Sequence, residues 1–235
     1  MTYLSPAKIN LFLHVTSKRS DGYHNLQTIF QLVDYCDEIN INYRSDGVID
    51  RISGNEHIPK NQDLIIRSAT LLKKITGSKG GADIAIVKKI PIGGGLGGGS
   101  SNAATVLIAL NKLWNLNLPK EELVDIGQNL GADVPVFING HSSWGEGIGE
   151  ILTPISLPKY FYLIVTIGKH ISTKEIFTHK ALTMSPVQRK IANFSMVSNP
   201  HNDCLDAAIH LEADIEKAIA HLDSTENHLG IARMT

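Results

Sequence analysis

The segment Pro91–Ala104, PIGGGLGGGSSNAA, packs six glycines into the seven residues from Gly93 to Gly99. Before it, Ala82–Ile90 (ADIAIVKKI) reads as a mostly apolar strand. After it, Ala103, Val106, Leu107, Leu110, Leu113 and Trp114 recur at helical spacing, the stripe of a buried helix. A loop that leaves a strand and opens a helix offers unsatisfied backbone N–H groups and the positive end of a helix dipole. Both favour phosphate. Without those flanks the same run would read as a mobile connector. A Walker A loop needs a lysine after its last glycine, and Gly94–Gly99 is followed by Ser100. The dinucleotide fingerprint is matched literally by Gly93, Gly95 and Gly98. The acidic residues beyond it, Glu121 and Glu122, open a helix where that fold needs an acid ending a strand.

Around this loop the chain alternates strands and helices. Lys8–Val15 puts Ile9, Leu11, Leu13 and Val15 on one face and Lys8, Asn10 and His14 on the other, interrupted by Phe12. Ser17–His24 is turn-rich, and strands are expected near Leu26–Leu32, Glu38–Tyr43 and Val48–Ile52. Asp63 can cap a helix running to about Ile75 and stopped by Gly77. A further helix follows Pro119 and ends before Gly131. Nine of the 20 glycines fall between Gly77 and Gly99 and six between Gly127 and Gly149, which predicts two loops around one site. The composition changes near Thr153-Pro154. Beyond it come an expected strand, Tyr160–Ile167, a helix from about Thr173, and a long helix from about Asp203 to Leu222. Gly230–Thr235 reads as the start of another strand.

Composition excludes several classes. The formal net charge is −1, so there is no electrostatic footprint for nucleic acid or an anionic membrane. Two cysteines far apart, Cys36 and Cys204, fit a reducing compartment and no disulfide framework. The N-terminus lacks a signal-peptide pattern, and no apolar run approaches the ~20 residues that span a bilayer. The expectation is a cytoplasmic globular protein whose first ~150 residues form an α+β or α/β domain. The ten histidines form no H-E-x-x-H, and no G-x-S-x-G exists, which disfavours a metalloprotease and an α/β-hydrolase.

The glycine segment resembles the phosphate loop of the GHMP small-molecule kinases, whose pattern is P-x-x-x-G-L-x-S-S-x-A, with one extra glycine here. Four other blocks stand in the same order as in that family: SPAKINLFLHV (Ser5–Val15), DGYHNLQTIF (Asp21–Phe30), LGADVPVF (Leu130–Phe137) and EGIGEILTP (Glu146–Pro154). Together they resemble the branch acting on a cytidine-diphosphate-linked methylerythritol. The resemblance implies a two-domain α+β GHMP fold, a small-molecule substrate, and a monomer or weak homodimer. Residues 1–152 would form a nucleotide domain like ribosomal protein S5, and 153–235 an incomplete ferredoxin-like substrate domain. The active site would lie in the cleft between them. It further implies ATP and Mg²⁺, and phosphorylation of the substrate's 2-hydroxyl on the non-mevalonate route to isoprenoid precursors. The family's third glycine-rich motif would follow Ala232–Thr235 and is not within the sequence. Two other readings therefore stay open, a catalytically silent ATP-binding fragment and a GHMP kinase for another small alcohol.

Residue by residue, Asp133 follows the helix stop at Gly131 and could be a turn or capping aspartate, or could accept a hydroxyl's proton. The resemblance makes it the general base, with Lys8 beside it to stabilise the ionised carboxylate and the developing alkoxide. ATP would be held by Pro91, Ile92, Gly93, Gly94, Gly95, Leu96, Gly97, Gly98, Gly99, Ser100 and Ser101. Asp63, Leu64 and Lys88 would line the adenine pocket. Ser100 and Ser101 can cap the following helix or touch phosphate and Mg²⁺. Asn10, Tyr23 and His24 would bind substrate, Tyr23 stacking on the cytosine and His24 hydrogen-bonding its edge. Thr173 and Phe177, from ISTKEIF, would join them.

Overall fold

The computed structural model describes residues 1–169, 171–186, 201–224 and 232–235. Their contacts form two compact units. The first is Met1–Lys8, Leu32–Ile92 and Leu96–His141; the second is Ile9–Gln31, Gly93–Gly95 and Ser142–Thr235. The expected division at 152/153 is a single cut, whereas these units interleave. Two long strands, β1 (Thr2–Lys18) and β2 (His24–Arg44), contribute residues to both. The two strands expected at Leu26–Leu32 and Glu38–Tyr43 are thus one.

In the first unit β4 (Gly81–Val87) pairs antiparallel with β2, from Glu38 opposite Val87 to Arg44 opposite Gly81. It pairs in parallel with β3 (Ile49–Ser53). Alternation buries Ile84 and Ile86 on one side and Ile39 and Ile41 on the strand beside them. Helix α1 (Leu64–Thr76) starts where Asp63 accepts the Ile65 N–H at 2.9 Å, and stops at Gly77, left-handed at φ 67°. Its buried face is Ile65, Ser68, Ala69 and Leu72. Each fully buried aliphatic side chain contributes about 1.5–3 kcal/mol. Helix α2 (Gly98–Leu113) packs on α1 through a stripe of Ala103, Val106, Leu107 and Leu110. Helix α3 (Lys120–Gln128) opens on Glu121 and Glu122, which complement its dipole. Helix α4 (Val134–Asn139) packs on both α2 and α3.

In the second unit β5 (Ser143–Glu146) pairs antiparallel with β2, Ile29 opposite Trp144, and β6 (Ile151–Pro154) pairs with β5. Trp144 and Phe12 meet in the core with ring centroids 5.5 Å apart. Asp203 is fully buried; its carboxylate accepts the Val15 N–H at 2.7 Å and the Ser185 hydroxyl at 3.0 Å. Helices α5 (Thr173–Thr178), α6 (Leu205–Leu211) and α7 (Asp214–Ser224) complete the unit.

Four expectations need correction. The single helix over Asp203–Leu222 is two helices, α6 and α7, because Glu212 is extended at φ −151°. Its carboxylate accepts the Asp214 N–H at the new helix start and pairs with Lys169 at 2.9 Å. Tyr160–Ile167 is not a strand. It pairs with none of the six strands, and Phe161, Leu163 and Val165 stay exposed; a strand exists only through its ladder. Ala232–Thr235 is not a strand either, and Gly230 and Ile231 lie outside the described residues. Strand β4 ends at Val87 instead of Ile90, since the Lys89 and Ile90 amides turn onto the Asp37 carboxylate. No helix among the described residues is long and apolar enough to cross a membrane.

Candidate functional site

The glycine loop is shaped by backbone that only glycine adopts cheaply. Gly93, Gly95 and Gly97 lie at φ 74°, 74° and 69°. Between them Leu96 is buried, and its carbonyl accepts the Lys8 N–H at 3.0 Å, pinning the loop to β1. At Gly97 a Cβ would fall 2.8 Å from the Phe137 ring and 3.2 Å from Lys8 Cγ, so the loop approaches both as only glycine allows. No side chain caps α2. Its first-turn amides and dipole therefore present a ready anion site.

Lys8 and Asp133 meet here. The Lys8 ammonium, on a side chain 7% exposed, is 3.8 Å from Asp133 Oδ2. Asp133 occupies the N-cap position of α4 but makes no capping bond. Its backbone is helical (φ −84°, ψ −10°), not extended, and the carboxylate faces the lysine. The side chain is 34% exposed.

The two serines differ. Ser101 is fully buried, and its Oγ accepts the Ser5 hydroxyl proton at 2.8 Å. Ser100 is half-buried and faces Gly131. Asp63 is 3% exposed and its carboxylate is taken by the Ile65 amide and by Arg51 Nε at 2.8 Å. Leu64 packs against the first turn of α2, within 3.3 Å of where a Gly99 Cβ would be. The Lys88 ammonium is held by Asp37 and by Asn102 Oδ1 at 3.3 Å. The charged heads of Asp63 and Lys88 are thus ion-paired within the protein, and Lys88 Nζ lies 3.1 Å from where a Gly98 Cβ would be, at the start of α2.

The second unit holds the other predicted residues. Arg19 pairs with Asp21 at 2.8 Å, Asp21 accepts the Tyr23 N–H, and Gly22 takes φ 88°. The Arg19 guanidinium, and then that amide, hold the Asp21 carboxyl below its ordinary range. This turn presents Tyr23, 61% exposed. His24 beside it is buried and stacks on Phe177, centroids 5.6 Å apart at 28°. Burial, helped by the Lys18 charge, lowers the His24 imidazole from its ordinary 6.5. Thr173 is the exposed first residue of α5. Asn10 is buried and its Nδ2 donates to Thr28 Oγ1 at 2.7 Å.

Against known proteins, the family model described as "GHMP kinases N terminal domain" matches residues 63–141. The chain is 60% identical, over all of its length and 82% of the relative's, to a protein of Ruthia magnifica named 4-diphosphocytidyl-2-C-methyl-D-erythritol kinase. The chain belongs to that kinase family. A second family member, from Vesicomyosocius okutanii, is 58% identical over the same shares of both chains. A crystal structure of 4-(cytidine 5'-diphospho)-2C-methyl-D-erythritol kinase superposes with a TM-score of 0.75 at 30% identity, covering 95% of this chain and 83% of that one. The fold is therefore that of the GHMP kinases.

Sequence reasoning missed Phe137, which bounds the loop at Gly97, and the buried group Ser5, Asp37 and Asn102. Phe137 lay within a quoted block without a role. Asp37 gave no signal: it stands in a run of mixed polarity, and its partners are remote in sequence.

Proposed function

We propose that this chain transfers the γ-phosphoryl group of ATP to the 2-hydroxyl of 4-diphosphocytidyl-2-C-methyl-D-erythritol, with Asp133 as general base. The observation that carries this reading is the Lys8–Asp133 pair at 3.8 Å, beside a helix start with no side-chain cap. Phosphoryl transfer needs positioning, charge stabilisation and an oriented hydroxyl more than covalent chemistry. Asp133 takes the hydroxyl proton as its oxygen bonds to the γ-phosphorus, and the bond to the ADP oxygen breaks. Lys8 offsets charge on the developing alkoxide, and the α2 amides hold the phosphate oxygens. Tyr23, His24 and Phe177 are the cytosine-binding group, two rings already stacked and a third exposed beside them.

The described residues contain no group of three or more His, Cys, Asp or Glu that could hold a metal. That fits Mg²⁺ arriving on the triphosphate, since Mg²⁺ uses one or two protein oxygens and keeps its waters. Of the two serines expected to touch it, Ser100 is half-buried and Ser101 is buried with its Oγ accepting from Ser5, so Ser100 is the one better placed to reach it. Bound there, it would neutralise phosphate charge. Cys36 and Cys204 are thiols and not a disulfide, which supports a reducing, cytoplasmic setting.

The test is ADP release by the full chain with ATP, Mg²⁺ and the cytidine-diphosphate acceptor, with the product's phosphate position read by ³¹P NMR. The reading predicts ADP release that requires the acceptor and a new phosphomonoester on the 2-hydroxyl. Equal release with the acceptor omitted, or transfer to galactose or mevalonate instead, contradicts it.

A further inference from the structure

Asp37 is fully buried at the point where β2 meets the end of β4. Its Oδ1 accepts the backbone N–H groups of Lys89 at 2.7 Å and Ile90 at 2.9 Å, the residues leading into Pro91 and the glycine loop. Its Oδ2 accepts from the Lys88 ammonium and from Asn102 Nδ2 at 2.9 Å, the latter on the second turn of α2. The same Asn102 amide nitrogen donates to Ser5 Oγ at 2.9 Å, and Ser5 donates to Ser101 Oγ. One carboxylate therefore grips the backbone before the loop and, through Asn102 and Ser5, the helix start after it. A buried carboxylate with four donors leaves little freedom, because each lost partner strands a polar group away from water.

We propose that Asp37 is a positioning residue for the nucleotide's phosphates. It fixes both ends of the glycine loop, so the α2 amides keep one geometry against the triphosphate. The inference rests on the kinase reading above. It deepens that reading by naming what holds the anion site still, since fixed donors are what make such a site effective. Asp37 touches neither the acceptor residues nor the Lys8–Asp133 pair in any contact described above. Its loss should therefore fall on nucleotide binding.

Asp37→Asn turns an amide N–H toward groups that are themselves donors. Isothermal titration with the non-hydrolysable analogue AMP-PNP and steady-state kinetics separate positioning from bulk stability. Positioning predicts about tenfold weaker AMP-PNP binding and a raised KM for ATP, with the acceptor KM within about twofold of wild type. A uniform drop in kcat with both KM values unchanged, or equal weakening of both substrates, overturns the inference. If Asp37→Asn precipitates, Ser5→Ala removes both bonds of the Ser5 hydroxyl, from Asn102 and to Ser101, leaves the four donors on Asp37 in place and should weaken AMP-PNP in the same direction by a smaller factor; unchanged affinity there overturns it. If the wild-type chain binds AMP-PNP but phosphorylates no cytidine-diphosphate acceptor, the functional reading fails. The AMP-PNP comparison then still decides the role of Asp37.

Discussion

His24 is neutral at pH 7 because burial and the Lys18 charge lower its imidazole below 6.5. The unfolded chain takes that proton near 6.5 and the folded chain only at lower pH. The neutral ring's contribution to stability is therefore complete above 6.5 and is lost as pH falls through the folded value. In the proposed function a neutral ring also accepts from the cytosine amino group. The acceptor KM should accordingly rise as pH falls through the folded His24 value, on the acid side of 6.5, and His24→Gln should flatten that rise. A wild-type acceptor KM that stays level through the pH at which the His24 ring takes its proton, followed by NMR of the imidazole, would remove His24 from cytosine recognition. Tyr23 tests the stacking separately. Tyr23→Ala should cost about 1–3 kcal/mol of acceptor binding and leave the KM for ATP unchanged. Equal effects on both substrates would argue against a cytosine platform.

Two left-handed glycines separate the cost of strain from the cost of misplacing an element. Gly77 ends α1 at φ 67°, and a methyl added there would meet nothing within 4 Å. Gly77→Ala should therefore cost about 1 kcal/mol and spare nucleotide affinity. Gly97 starts α2 at φ 69°, and its Cβ would strike the Phe137 ring. Gly97→Ala should cost a further ~1–3 kcal/mol and weaken AMP-PNP binding at least about tenfold. Urea melts and titration read the two quantities, and equal nucleotide affinity in both variants would detach the loop from the phosphates. The same contrast shows what the sequence makes legible. Helix α1 was readable because its cap, stripe and stop are all local: Asp63, Ile65 to Leu72, Gly77. The break at Glu212 was not, since apolar spacing continues through it while a carboxylate and Lys169 decide the backbone. Strands β5 and β6 and helix α4 are four to six residues long, too short for a period to show. Tyr160–Ile167 carried an apolar strand pattern without the partner that would make it one.

At the scale of the whole chain, β1 and β2 each supply residues to both compact units, so the unit boundaries cut across strands instead of following a linker. Local composition could not show that. Lys8 and Asn10, two residues apart on β1, fall in different units: one faces Asp133, the other is tied to Thr28. The pairing of Lys8 with Asp133 was expected only through the family resemblance, because the fold brings the two together and neither has a distinctive local pattern. The chain spans 82% of its 60%-identical relative, and every residue assigned a role lies within that span. The direct test of the account is single-turnover phosphoryl transfer by Asp133→Asn beside the wild-type chain, with AMP-PNP affinity measured on both. Loss of about 10²–10⁴ in the transfer rate with AMP-PNP affinity retained is the predicted result. A near-wild-type rate from Asp133→Asn would contradict the assignment of Asp133 as the base.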